Sequence, residues 1–220
     1  MLIKNRFHYP AILKLEGKKC VIIGGGQVAA RKLATLCEAG ALVTVVAPEF
    51  CDLLLETAAK HHCQLVKDYY QAQYLQQAFI VIAATNDAAI NRQVTAEAPM
   101  LCNNITEPEL SNFTVPSSFS QGDITVALAT GGMPAFTRVL KKKLQQVISL
   151  DIANFNEFLR QQRLVVQQIP STPAQRIAFW RQILTEDIIN LVAAGHAAQA
   201  KENILDAISS FRSQSQNGPR

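Results

Sequence analysis

The chain has 220 residues, a formal charge of +4 at neutral pH, 49% hydrophobic and 17% charged residues. That balance describes a core-rich globular protein and excludes a disordered one. No apolar run reaches the ~18 residues that a bilayer span requires, and Met1 to Arg6 lacks the apolar core of a signal peptide. A cytoplasmic protein with neither membrane nor nucleic-acid partners is therefore expected.

In chain order, Lys19–Gly24 reads as a buried β-branched strand that runs into Gly24-Gly25-Gly26, followed by a helix from about Val28 to Glu38. A strand, a glycine turn and a helix make a phosphate cradle: Gly24 permits the turn, Gly26 lets a diphosphate approach, and small Ala29 packs the helix on the strand. Gly40 suits the helix C-terminus. Leu42–Ala47 is a second buried strand, stopped by Pro48. Phe50–His61 reads as a helix with Leu53, Leu54 and Ala58 on one face, and Gln64–Lys67 as a short strand. After a polar, tyrosine-bearing connection (Asp68–Gln77) come a strand at Phe79–Ala84, a helix at Ala88–Glu97 and a strand at Met100–Ile105. Alternation of this kind predicts a doubly wound parallel sheet.

The pattern changes near Phe113. Phe113–Pro116 and Asp123–Leu128 read as antiparallel strands about the turn Gln121-Gly122-Asp123. Thr130-Gly131-Gly132 is a loop, and Pro134 opens a helix to about Val147. From Leu150 the chain reads as helical, broken at Ile169–Pro173, with Thr172 as a cap and Pro173 in the first turn. Ile177, Trp180, Ile183 and Leu184 follow helical spacing and read as core. The polar tail from Ser213 to Arg220 is expected to fray.

The five cysteines (Cys20, Cys37, Cys51, Cys63, Cys102) are widely spaced without a Cys-x-x-Cys pair, which favours reduced thiols. His61-His62 beside Cys63 has the residue types of a metal site, but a helix end followed by a strand start explains the trio, and no metal is assigned. Arg138, Lys141, Lys142 and Lys143 crowd one helix, which is either a solvated face or a seat for an anion.

For a nicotinamide dinucleotide, the ribose hydroxyls call for an acid at the end of the second strand. Glu49 follows Pro48 one or two residues late, and no arginine follows to receive a 2′-phosphate, so NAD is favoured over NADP. At the end of the fourth strand, Thr85 and Asn86 are placed to hydrogen-bond a ribose or nicotinamide. A helix cap at Asn86 or Asp87 is the plain structural alternative.

The ordered set Tyr9-Pro10, Gly24-Gly25-Gly26-x-Val28-Ala29-x-x-Lys32, Gly40-Ala41-x-Val43-Thr44-Val45-Val46-Ala47-Pro48, Ala83-Ala84-Thr85-Asn86-Asp87 with Asn91, Asn103, Pro108-Glu109-Leu110, Asn112-Phe113, Pro116, Gly122-Asp123, and Thr130-Gly131-Gly132 with Pro134 and Arg138 resembles precorrin-2 dehydrogenase, the NAD-dependent module of siroheme synthase. The likeness is dense from Tyr9 to about Leu140. It implies a Rossmann-type α/β fold, then a small α+β dimerisation region and a C-terminal helical domain, divided as 1–112, 113–149 and 150–220. It implies oxidation of precorrin-2 by NAD to sirohydrochlorin, on the way to siroheme or a cobalamin, by a homodimer. Larger members carry a methyltransferase domain, for which this chain is expected to be too short.

The likeness implies cofactor contacts at Gly24, Gly26, Gln27, Val28, Pro48, Glu49, Thr85 and Asn86. Substrate contacts are implied at Asn103, Thr130, Gly131, Arg138, Lys141 and Lys142, where basic groups meet a macrocycle bearing eight carboxylates. Many members carry an Asp, implicated as general base, where this chain has Thr106. Threonine takes no proton at neutral pH, so Glu107 is the candidate base and Thr106 marks the location. Water or a substrate carboxylate is the alternative acceptor. Some members insert ferrous iron. Without the Asp, with His8 and His61-His62 as poor substitutes, iron insertion stays open. The competing reading is a non-catalytic module that binds NAD or a tetrapyrrole. A short-chain oxidoreductase is set aside, because Tyr69, Tyr70 and Tyr74 have no lysine four residues on.

Overall fold

The structure, a computed structural model, describes residues 9–216. His8 therefore lies outside the described residues. Two compact units divide between Val115 and Pro116.

In the first unit, β1 (Lys19–Ile23), α1 (Gln27–Glu38), β2 (Leu42–Ala47), α2 (Asp52–His61), β3 (Gln64–Lys67), β4 (Ile80–Ala83), α3 (Ala88–Glu97) and β5 (Leu101–Asn104) follow one another. The strands form one sheet in the order β3-β2-β1-β4-β5, parallel throughout. β1 is central, and its side chains alternate between two cores. Cys20 and Ile22 pack with Ala29, Ala30 and Leu33 of α1 and Leu54 and Ala58 of α2. Val21 and Ile23 pack on the other face with Val81, Ala83 and Val94. Helices cover both faces, which is why β1 and β4 read as unbroken apolar runs. Each fully buried Ile or Leu here contributes about 1.5–3 kcal/mol.

The second unit starts with an antiparallel ribbon, β6 (Ser117–Gln121) and β7 (Ile124–Leu128), and α4 (Pro134–Val147). Next come α5 (Leu150–Gln167), α6 (Pro173–Ile183), α7 (Glu186–Ala193) and α8 (Ala197–Gln216). Phe155, Val166, Phe179, Val192 and Ile204 form its core. The Phe179 ring stacks on Phe211 with centroids 4.6 Å apart. Thr172 and Gln175 close a reciprocal capping box, with Pro173 in the first turn of α6.

Several expectations are corrected. The ribbon's first strand is Ser117–Gln121, not Phe113–Pro116, because Phe113 packs against the sheet core of the first unit. The helical region breaks twice more, before Glu186 and at Gly195-His196. Gly195 takes φ 86°, so its break is a glycine turn. The tail is helical through Gln216 rather than frayed from Ser213. Leu53 is exposed while Leu54 and Ala58, four residues apart, share the buried face. Ile177 and Leu184 are not core: they are 54% and 38% exposed, and the buried side chain of α6 is Phe179.

His61 ends α2, His62 takes a left-handed turn and Cys63 precedes β3, as the structural reading of that trio requires. Cys63 faces Cys37 of α1, with the sulfurs 3.0 Å apart. Burial first, then the hydrogen bond shared with Cys63 and the charge of Cys63, push the Cys37 thiol up to about 12. Thiolate is the reactive form, so iodoacetamide labelling of Cys37, read by peptide mass spectrometry, is expected to be slow at pH 7.5. Rapid labelling would contradict this environment.

Candidate dinucleotide site

The carboxyl ends of β1 and β4 diverge in topology: β1 continues toward β2 and β4 toward β5, on opposite sides. Ligands of such sheets sit at this switch point. The glycine turn after β1 and the Ala84–Asp87 loop after β4 meet there. Gly24, at φ 130°, lies so close that a Cβ on it would stand 2.3 Å from the Ala84 carbonyl oxygen. Gly25, which sequence reasoning passed over, is tighter: a Cβ there would stand 1.9 Å from the Glu49 carbonyl oxygen. Its own carbonyl accepts from the Cys51 amide at 2.9 Å. Gly26 is different, because nothing lies within 4 Å of where its Cβ would be. The only signal for Gly25 was three glycines where the turn needs two.

Gly26 caps α1 without any side-chain hydrogen bond, and no acid occupies the first turn. The free N–H groups and the positive end of a 12-residue helix thus open beside the open side of Gly26. Such an end binds anions, and the donor set suits a diphosphate. Gln27 is exposed and Val28 half-buried in this first turn; Pro48 and Glu49 are exposed in the loop after β2 that abuts Gly25. Asn86 is exposed.

The threonines are more committed than expected. Asp87 is the cap of α3, accepting from Ala89 N at 2.8 Å and Ile90 N at 3.2 Å. Thr85 Oγ1 donates to Asn91 Oδ1 at 2.8 Å, and Thr85 N donates to the same oxygen at 3.1 Å. Buried Asn91 returns its Nδ2 to the Thr85 carbonyl at 2.9 Å and to Thr106 Oγ1 at 3.2 Å. Thr106 Oγ1 in turn donates to Asn104 Oδ1 at 2.8 Å. The hydroxyl at the expected base position is thus a link between two buried amides.

Asn104 Oδ1 also accepts from the amides of Thr106 and Glu107, each at 3.0 Å. It therefore shapes the loop that presents Glu107. That carboxylate pairs with Arg92 Nε at 2.7 Å and is 26% exposed. Hydrogen bonding to the Glu107 carboxylate, and then that group's charge, raise the Arg92 pKa. Neither Asn104 nor Arg92 was singled out from sequence. Asn103 is buried and reaches the Phe113 carbonyl at 3.4 Å.

In the second unit, Thr130 Oγ1 bonds Met133 O at 3.1 Å and the Thr137 hydroxyl, holding the start of α4. Gly131 is exposed, with left-handed φ 60°. Arg138 and Lys142, four apart, share an exposed stripe of α4, whereas Lys141 Nζ donates to the Ser118 carbonyl at 2.7 Å. The expected basic cluster is thus divided between three solvent-facing residues, Arg138, Lys142 and Lys143, and one lysine tied to the ribbon.

Residues 11–117 match a family model described as "Putative NAD(P)-binding", and residues 152–208 match one described as "Sirohaem synthase dimerisation region". A siroheme synthase of Nitrosospira multiformis is 36% identical over 87% of this chain and 42% of its own length. One from Methylobacillus flagellatus is 33% identical over 91% of this chain and 44% of its own. This chain is similar to siroheme synthases over most of its own length. It spans less than half the length of those curated relatives. A solved structure of SirC, precorrin-2 dehydrogenase, shares the fold: TM-score 0.75 at 23% identity, over 92% of this chain and 100% of that one. The NAD(P)-binding match spans the five-stranded sheet with its glycine turn, and the dimerisation-region match spans most of α5 to α8. Among the described residues, no helix is long and apolar enough to cross a membrane.

Proposed function

We propose that this chain catalyses the NAD-dependent oxidation of precorrin-2 to sirohydrochlorin, as a cytoplasmic homodimer. The observation that carries it is the uncapped start of α1 behind open Gly26 at the β1/β4 switch point, in a siroheme synthase relative. NAD, when bound, accepts a hydride from the macrocycle. The chain's part is to hold the diphosphate on the amides of Gln27 and Val28, and a ribose at Glu49. NAD rather than NADP fits an exposed Glu49 with no arginine between Pro48 and Asp52. Asn86 is the free polar side chain of the β4 loop for the nicotinamide half; Thr85, Asn91 and Thr106 brace that loop.

Arg138 and Lys142 neutralise carboxylates of the substrate, a long-range attraction that salt screens. Within the second unit, Lys141, Thr130 and Gly131 hold the ribbon and the start of the helix that carries these two; within the first, Asn103 holds the segment at Phe113. Loss of a hydride leaves one proton to remove, and Glu107, positioned by Arg92 and by the Asn104 amide bridge, is the acceptor. Thr106 marks that loop without taking the proton. The three-part division 1–112, 113–149 and 150–220 follows these roles. For the homodimer, the dimerisation-region match covers residues 152–208, and α4 just before it adds exposed Phe136, Val139 and Val147, an apolar surface that suits a second copy.

Anaerobic incubation with precorrin-2 and NAD is the test. The sirohydrochlorin spectrum and stoichiometric NADH are expected. Tetrapyrrole binding without NADH would establish the non-catalytic module instead. Glu107→Gln is expected to lower turnover by about 10²-fold or more with NAD affinity unchanged. Full turnover in that variant assigns the proton to water or a substrate carboxylate.

A further inference from the structure

Two thiols of the first unit meet at a place that none of the roles above uses. Cys37 lies in the last turn of α1 and Cys63 in the link between α2 and β3, 26 positions further along the chain. Both are free and half-buried. The other three cysteines are placed differently: Cys20 and Cys102 are buried in β1 and β5, and Cys51 stands at the start of α2. Among the described residues, Cys37 and Cys63 are the one pair of sulfurs in hydrogen-bonding contact.

Local structure holds the pair in register. The Gly40 amide donates to the Cys37 carbonyl at 2.9 Å, which closes α1. The Cys63 amide donates to the Ala58 carbonyl at 2.9 Å, just after the left-handed turn at His62. Both sulfurs therefore hang from backbone fixed by closing turns, and both side chains pack on the same apolar core of the sheet. At 3.0 Å apart they stand within about 1 Å of bonding distance.

We propose that Cys37 and Cys63 form a reversible oxidation site, a dithiol that hydrogen peroxide converts to a disulfide. Burial keeps Cys37 in the thiol form, so the first step falls to Cys63. Its thiolate attacks one peroxide oxygen, and the O–O bond breaks. Cys63 becomes a sulfenic acid, and the departing hydroxide takes up a proton to leave as water. The Cys37 sulfur then attacks the sulfenic sulfur. The S–O bond breaks, and the hydroxyl leaves with the Cys37 proton as a second water. Two thiols have lost two electrons and two protons, and one peroxide has become two waters. Contact with the resolving thiol favours this second step over further oxidation of Cys63. In a reducing compartment the resting state is the dithiol. The new bond closes a loop over β2 and α2, which restrains the unfolded chain and stabilises the folded one. None of this requires the proposed reaction, because no substrate or dinucleotide takes part.

The test treats the full chain with hydrogen peroxide at neutral pH and maps its peptides by mass spectrometry without reduction. A pair of peptides joined through Cys37 and Cys63 is expected, lighter by two hydrogens than the separate thiols and parted by dithiothreitol. The thermal midpoint of the linked protein should rise by at least about 5 °C and fall back on reduction. In Cys37→Ala the link should vanish and a sulfenic acid should accumulate at Cys63, trapped by dimedone. Cys63 driven to sulfinic acid while Cys37 stays a thiol in the unsubstituted chain overturns the inference. So does a map in which all five cysteines remain reduced, or one in which every link joins two copies.

Discussion

Gly26→Ala is expected to leave the fold intact and to weaken NAD binding by at least about tenfold, about 1.4 kcal/mol, whereas Gly25→Ala is expected to cost the fold itself. The two residues are neighbours, and sequence reasoning assigns a role to Gly26 alone. The structure separates them. A Cβ on Gly25 would overlap the Glu49 carbonyl oxygen at 1.9 Å and press on Ala47 Cβ at 3.0 Å. Those are backbone and core atoms at the end of β2, so no rotamer change relieves the clash. The Cys51 amide bond to the Gly25 carbonyl would be strained with it. A cost above about 4 kcal/mol is expected, the mark of an overpacked core. Gly26 has extended geometry (φ −85°, ψ −176°) that alanine adopts without strain, and open space around it. Its methyl would stand where a diphosphate must approach the α1 amides. Urea denaturation and calorimetric titration with NAD read the two effects apart. Equal NAD affinity in a folded Gly26→Ala protein would remove the cradle from the account.

Asn104→Ala is expected to destabilise the first unit by about 3 kcal/mol and to release the loop that carries Thr106 and Glu107. The Asn104 side chain is fully buried, and its one oxygen gathers three donors: Thr106 N, Thr106 Oγ1 and Glu107 N. Its nitrogen donates to Thr95 Oγ1 at 3.2 Å. Alanine removes all four bonds and leaves their partners without replacements, each worth about 1–3 kcal/mol if no water enters. Partial hydration of the exposed end of the loop holds the total near the lower end. The loss is read in the urea midpoint, and in faster hydrogen exchange at the amides of Thr106 and Glu107. Turnover should fall as well, because Glu107 loses its backbone anchor while keeping Arg92. Asn104→Ala with native exchange rates at both amides would show that the loop is held by other contacts.

These two outcomes differ in how far the chain itself foretold them. The glycine turn, the parallel order of strands and the cap at Thr172 were legible because each is a local pattern: apolar runs, punctuation by glycine and proline, a hydroxyl three residues before its partner. The family likeness was legible for the same reason, as an ordered series of short motifs. Other expectations failed where tertiary contact overrode spacing. Phe113–Val115 has strand composition, yet Phe113 packs on the sheet core and the ribbon starts at Ser117. Ile177 and Leu184 keep helical spacing, but α6 turns Phe179 inward, stacked on Phe211 from α8.

From its order of residues alone, this chain settles a doubly wound parallel sheet with a helical second unit, and places a glycine turn between the first strand and the first helix. Periodicity and turn chemistry act over a few residues, so they survive without coordinates. The tertiary structure alone decides what Gly25 touches, how Asn104 and Asn91 engage Thr106, that Arg92 holds Glu107, and that the Cys37 and Cys63 sulfurs meet. Each of those depends on partners brought together from separate elements, and hydrogen bonds and charge pairs are set by distances that no linear spacing encodes.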